Sequence, residues 1–190
     1  AASGDKGKGT GQISGKECGR LFFCLQEDMK TKKLTVCAVI AAAYAALTLL
    51  LAPIAYANIQ IRLSEALTIL PFIAPYTGWG LVVGCLLANL LSPFGINPLD
   101  VVFGTLASLL AALATARIRK RSLAPLPPVL LNALIVGAVL AYTSAPDAFW
   151  PSYALFGLEV GAGQLVACYG GGLLLLKIME KTGLADALRK

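Results

Sequence analysis

The sequence has no histidine, no C-x-x-C pair and few charged residues, and each shortage excludes a class of function. Without histidine the chain loses the commonest metal ligand and the usual general base near neutral pH. Metalloenzyme and triad chemistries fall away, and neither a metal site nor a bound cofactor is expected. The five cysteines (Cys18, Cys24, Cys37, Cys85, Cys168) are scattered, three of them within apolar runs, and read as small buried hydrophobes. No G-x-x-x-x-G-K-[ST] phosphate loop is present, so ATP-driven work would need an ATPase on another chain. Charged residues make up 14% of the 190 positions, against about 25% in soluble domains. That is too few to cover the protein with a solvated surface.

What the sequence has instead is hydrophobicity: 57% of its residues are apolar and the mean hydropathy is +0.75. Long apolar runs alternate with short polar breaks, the pattern of a polytopic helical membrane protein. The period-2 alternation of a transmembrane β-barrel is absent. The net charge of +6 does not point to nucleic acid, because its distribution is organised. Four of the 16 Lys and Arg lie in the N-terminal tail. Eleven flank three apolar boundaries: Lys30, Lys32 and Lys33; Arg117, Arg119, Lys120 and Arg121; Lys177, Lys181, Arg189 and Lys190. Only Arg62 is left over. Clustering beside alternate span ends is the positive-inside signature.

Residues 1–28 are rich in Gly and Lys and lack periodicity, and they read as a disordered extension upstream of a native start at Met29. Residues 29–190 read as one membrane domain. Its first span runs from 34 to about 56, long enough at 1.5 Å per residue to cross a bilayer core. The second helix, 63–72, is too short to cross alone and ends at a turn bracketed by Pro71 and Pro75. The third runs over 77–91 and stops at the SPFGINP turn. Pro98 opens the fourth, which ends in the RIRKR cluster near 118. LAPLPP leads into the fifth, 126–142, and the sixth covers 152–179. Six helices with both termini cytoplasmic place all three basic clusters inside. A five-helix count would strand Lys177 and Lys181 outside.

The stretch 62–100 organises the rest. It is apolar throughout yet carries Arg62, Glu65, Asn89 and Asp100 at depths where ionisable residues are costly and default to function. Under the six-helix topology a polar set gathers in the outer half: Asn58, Glu65, Asn89, Asn97, Asp100 and Glu159, with Gln164 nearer the midplane. Asn132 enters from the inner end of its helix. Asp100 and Phe103 are i, i+3, and so are Phe156 and Glu159, which puts a carboxylate beside an aromatic on one helix face. That pairing suits a flat, nitrogen-rich solute whose N–H groups meet the carboxylate while the ring stacks. An ammonium group would also be attracted. The plainer alternatives are that Glu65 pairs with Arg62 and that Asp100 caps its helix. On the first span Ala38, Ala42 and Ala46 recur every four residues, the spacing that lets another helix approach closely.

RLSEALTILPF, GCLLANLLS, LDVVFGTLASLLAA and LAPLPPVLLNALIVG together resemble the QueT family, substrate-binding (S) components of energy-coupling factor (ECF) transporters. The resemblance covers about 34–181. It implies six helices and a solute site near the outer face. It also implies docking on an ECF module of one transmembrane T subunit and two ATPase subunits, which use the ATP. The T subunit would meet Ala38, Ala42 and Ala46. The family is assigned to queuosine precursors, so the implied solute is an aminomethyl or cyano deazaguanine, a planar guanine-like base. Its expected contacts here are Asn58, Glu65, Asn89, Asp100, Phe103, Phe156, Glu159 and Gln164, in a multi-pass protein of the cell membrane. Other readings are an S component for another vitamin-like solute, a stand-alone facilitator, or an acid–base enzyme using Glu159 and Asp100.

Overall fold

A computed structural model describes residues 31–52 and 62–189. Among them every regular element is helical. Helix α1 (Thr31–Leu50) opens in the basic KTKK run and has an apolar face on all sides. Helix α2 (Leu63–Ile73) starts as a seven-residue 3-10 helix, Leu63–Ile69, and relaxes into α form over Leu70–Ile73. Helix α3 is Thr77–Leu90 and α4 is Asp100–Arg117, the latter with a π-helical first turn, Asp100–Gly104. Helix α5 (Leu126–Ser144) carries Pro127 and Pro128 in its first turn, where a missing N–H costs nothing. Helix α6 (Pro146–Lys181) is continuous but passes through a second π-helical segment, Val166–Gly172. A short α7 (Leu184–Arg189) follows.

Helices α1, α4 and α6, and α5 with the 3-10 turn before it, are long and apolar enough to cross a membrane. The shorter α2 and α3 are apolar as well. Around the bundle α1 packs on α3, α3 on α4, α4 on α5, α5 on α6, and α6 on α2, which returns to α1. Helix α2 also touches α3 and α4, so it lies towards the middle of this ring. Burial agrees: Ser64, Glu65, Thr68, Ile69, Leu70 and Pro71 are all buried. Two junctions are especially close. A Cβ on Gly84 of α3 would lie 2.8 Å from Tyr44 Cβ on α1, and one on Gly137 of α5 would lie 2.8 Å from Gly157 Cα on α6. Only glycine permits these approaches, the small-residue logic of helix association in membranes.

Three contacts bring the basic chain segments to one end of the bundle. Lys33 Nζ sits 5.5 Å from the centroid of the Tyr76 ring, which joins the start of α1 to the α2–α3 turn. Tyr76 Oη donates to the Leu188 carbonyl at 3.1 Å and holds α7 to the same turn. Arg121 Nη1 donates to Glu180 Oε2 at 2.8 Å and links the α4–α5 turn to the end of α6. The ends of α2 to α5 agree with those expected from the prolines and basic clusters to within two residues. Helix α6, however, opens at Pro146 rather than near 152, so most of the expected SAPDAFWPS loop is helical. The expected end of the first span near 56 lies outside the described residues. Three features differ in kind: α2 is mostly 3-10 rather than α, and α4 and α6 each contain a π segment. The extension 1–28 lies outside the described residues, as do residues 53–61 between α1 and α2.

Candidate functional site

The central position of α2 decides which polar groups meet. A 3-10 helix has three residues per turn, so residues i and i+3 stack on one side. Glu65 and Thr68 therefore form a single column, and Arg62 caps it from the N-terminal side with an extended backbone. The column is held by its own bonds. Glu65 N donates to the Arg62 carbonyl at 3.0 Å and Thr68 Oγ1 to the Glu65 carbonyl at 2.6 Å. Cys168 Sγ, in the π segment of α6, also donates to that carbonyl, at 3.6 Å.

Helix α1 supports the same column from the other side. Tyr44 Oη donates to Glu65 Oε1, and Thr48 Oγ1 donates to Ser64 Oγ at 2.7 Å. Tyr44 and Thr48 are i, i+4 and so share the buried face of α1. Glu65 is 2% exposed, and its second carboxylate oxygen, Oε2, makes no hydrogen bond. Asn132 of α5 flanks the carboxylate and Arg62 offsets its charge.

Arg62 and Glu65 border a small cavity that is also lined by Cys85, Gly104, Ser108, Asn132, Val136, Val160 and Gln164. Helices α2 to α6 all contribute to the lining. The interior measures about 10 Å³, room for about one water, against about 300–1,000 Å³ for ordinary small-molecule sites. This conformation is therefore closed, and any larger solute requires the lining to part. The lining is chemically mixed, with one guanidinium, one carboxylate, two amides, a hydroxyl and a thiol. Among the described residues no cluster of His, Cys, Asp or Glu could hold a metal ion.

The expected site residues divide into three groups. Glu65 and Gln164 line the cavity, and Gln164 Oε1 accepts from Cys168 Sγ at 3.3 Å. Asn89 stands just behind the lining: its Nδ2 donates to the Asp100 carbonyl at 3.0 Å and lies 3.0 Å from where a Cβ on Gly104 would be. Asp100, Phe103, Phe156 and Glu159 are not among the lining residues. Asp100 Oδ2 accepts from Asn97 Nδ2 at 3.1 Å, a local bond at the opening of α4. Phe103 is 41% exposed and lines a separate apolar groove with Leu99, Leu134 and Tyr142. Phe156 and Glu159 are half-buried on α6, and Glu159 Oε2 is buried without a hydrogen bond. Asn58 lies outside the described residues.

Sequence spacing thus brought a carboxylate and an aromatic together on α4 and on α6, but neither pair converges on the cavity. The residues missed were Tyr44, Cys85 and Ser108. Each is a polar or polarisable side chain in the middle of an apolar span, and that depth was the available signal. Ala38, Ala42 and Ala46 are all exposed, while Cys37, Ala41, Tyr44 and Thr48 of the same helix are buried. The alanine stripe is an outer face of the bundle.

The family model described as QueT transporter matches residues 34–181, most of the chain and every helix that lines the cavity. The chain belongs to the QueT transporter family. Its long apolar helices are then those of a multi-pass membrane transport protein. No curated protein and no solved structure matches the chain.

Proposed function

We propose that this QueT-family protein is the substrate-binding S component of an ECF-type importer and that it takes up a queuosine precursor, an aminomethyl or cyano deazaguanine. The observation that carries the reading is Glu65: a carboxylate 2% exposed, one oxygen without a partner, beside a polar cavity in an apolar bundle. A buried charge without full compensation is costly. A solute rich in N–H donors supplies the missing bond. Six membrane-spanning helices, with α2 short, put the basic end of the bundle in the cytoplasm of a cell-membrane protein, as the positive-inside rule requires. The solute enters from the opposite end.

Exposed Ala38, Ala42 and Ala46 support docking of a transmembrane T subunit on α1, with ATP hydrolysed by two further ATPase subunits. Reorientation of the S component in that assembly opens the closed cavity and releases the solute inside. Asn89, Gln164 and Asn132 complete the polar surround. Asp100, Phe103, Phe156 and Glu159 are nearer the outer end and belong to the path by which the solute arrives; Asn58, outside the described residues, is proposed as a further contact on that path.

Calorimetry tests the reading. Purified protein in detergent is titrated with the aminomethyl deazaguanine, with riboflavin and thiamine as controls. Tight binding of the deazaguanine alone is expected. A folded protein that binds a control instead belongs to a different solute.

A further inference from the structure

The cavity reading leaves unstated which part of a solute is recognised, and the column on α2 bears on that. Arg62 offers only N–H donors, and an ionised Glu65 only acceptors. Arg62 caps the 3-10 turn that carries Glu65, and both line the cavity. Among the described residues no other charged residue lines it, so the two formal charges cancel. An anionic group placed there would meet Glu65 and a cationic one would meet Arg62. A neutral edge with an acceptor next to a donor satisfies both.

We propose that Arg62 and Glu65 read one edge of the solute, a cyclic amide whose carbonyl oxygen accepts from Arg62 while its ring N–H and any adjacent exocyclic amine donate to Glu65. Tyr44 is the positioning residue. Its ring is fully buried, its Cβ is pressed against α3 at Gly84, and its Oη occupies Glu65 Oε1. Tyr44 thereby fixes the carboxylate and leaves Oε2 for the solute. The ammonium arm of an aminomethyl base has no part in this contact, and the edge is shared by cyano and unsubstituted bases. The inference rests on the solute-binding reading of the cavity and adds which atoms are read.

The test uses two probes with the same ring, 7-deazaguanine and 7-deazaadenine. The second has an amine in place of the carbonyl and lacks both the adjacent ring N–H and the exocyclic 2-amine, so the edge no longer offers donors to Glu65 or an acceptor to Arg62. Wild-type protein in detergent is expected to prefer 7-deazaguanine by about 100-fold or more, because a site built around a donor rejects the analogue that lacks it. Glu65→Gln is expected to abolish that preference. Tyr44→Phe keeps the ring and its packing. It is expected to weaken 7-deazaguanine about tenfold, the loss of one charge-assisted hydrogen bond, and to leave 7-deazaadenine unchanged. A merely structural tyrosine would weaken both probes equally, and that result overturns its positioning role.

Unaltered preference in folded Glu65→Gln overturns the edge assignment, as does a wild type that binds the two probes alike. Uptake of the aminomethyl deazaguanine by cells that also make the partner module is measured in parallel. Uptake without edge preference removes this inference and leaves the transport function standing. Loss of uptake together with loss of binding removes both.

Discussion

Thr48 on α1 and Ser64 on the 3-10 turn of α2 share a buried hydrogen bond of 2.7 Å, one helical turn from the Tyr44–Glu65 bond on the same face. These two side-chain ties fix the height of α2 against α1, and with it the placement of Arg62 and Glu65. Hydrogen bonds between membrane helices are worth about 0.6 kcal/mol on average and about 1.7 at most. Thr48→Val keeps the shape and removes the donor. It is expected to lower unfolding stability in detergent by about 1 kcal/mol. Adding Ser64→Ala should cost little more, because the partner hydroxyl is then no longer stranded. Thermal unfolding of the two single variants and the double variant checks this, and strict additivity would mean that the bond contributes nothing.

The contact between α2 and the π segment of α6 supplies a matched pair of substitutions. A Cβ on Gly171 would lie 2.8 Å from Ala66 Cβ, whereas one on Gly170 meets nothing within 4 Å. Both residues sit in the same segment, so their effects on local backbone preference are alike. Gly171→Ala must push the 3-10 turn away. It is expected to cost about 1–3 kcal/mol, the usual penalty of overpacking, and to weaken solute binding by displacing Glu65. Gly170→Ala should be neutral or stabilise the helix by up to about 1 kcal/mol. Equal effects at the two positions would show that the segment responds to glycine loss as such rather than to the contact with α2.

The bounds of α2 to α5 were legible in the sequence because proline, glycine and charge mark them chemically. Pro71 and Pro75, Pro98, the LAPLPP turn and RIRKR each stop or start a helix for a local reason. Most of the cavity was not legible. In an α-helix Arg62 and Glu65 are neighbours at best, and nothing in a short apolar run announces a 3-10 turn that aligns Thr68 with Glu65. Tyr44 reaches Glu65 across 21 residues of sequence, and Asn132 comes from α5. Those meetings depend on the order in which helices pack, which apolar runs of similar composition do not encode. Phe103 illustrates the converse. Sharing a helix face with Asp100 was a sound local expectation, but the rotation of α4 in the bundle turns that ring outward.

The Arg121–Glu180 ion pair closes the basic end of the bundle at 2.8 Å, yet its side chains are 45% and 40% exposed. Exposed pairs contribute about 0–1 kcal/mol and are screened by salt. Arg121→Ala is therefore expected to change the unfolding temperature little and solute binding not at all. The small difference should be larger in low salt and shrink further in high salt. A large loss of stability would show that the α4–α5 turn is anchored mainly through this pair.

The outward alanines give the sharpest separation between fold and assembly. Ala42 is exposed on α1, on the opposite side from buried Tyr44. A leucine there adds bulk where a partner helix would need close approach. Ala42→Leu is expected to leave unfolding temperature and solute affinity within twofold of wild type, and to abolish co-purification with the T subunit and ATP-driven uptake. Leu130→Ala on α5, where the side chain is 51% exposed on another face, serves as the control and should leave assembly intact. Uptake that survives Ala42→Leu would move the docking surface off this stripe. Loss of solute binding by the isolated variant would show that the stripe supports the cavity instead, because then the effect would have travelled through α1 to Tyr44 without any partner present.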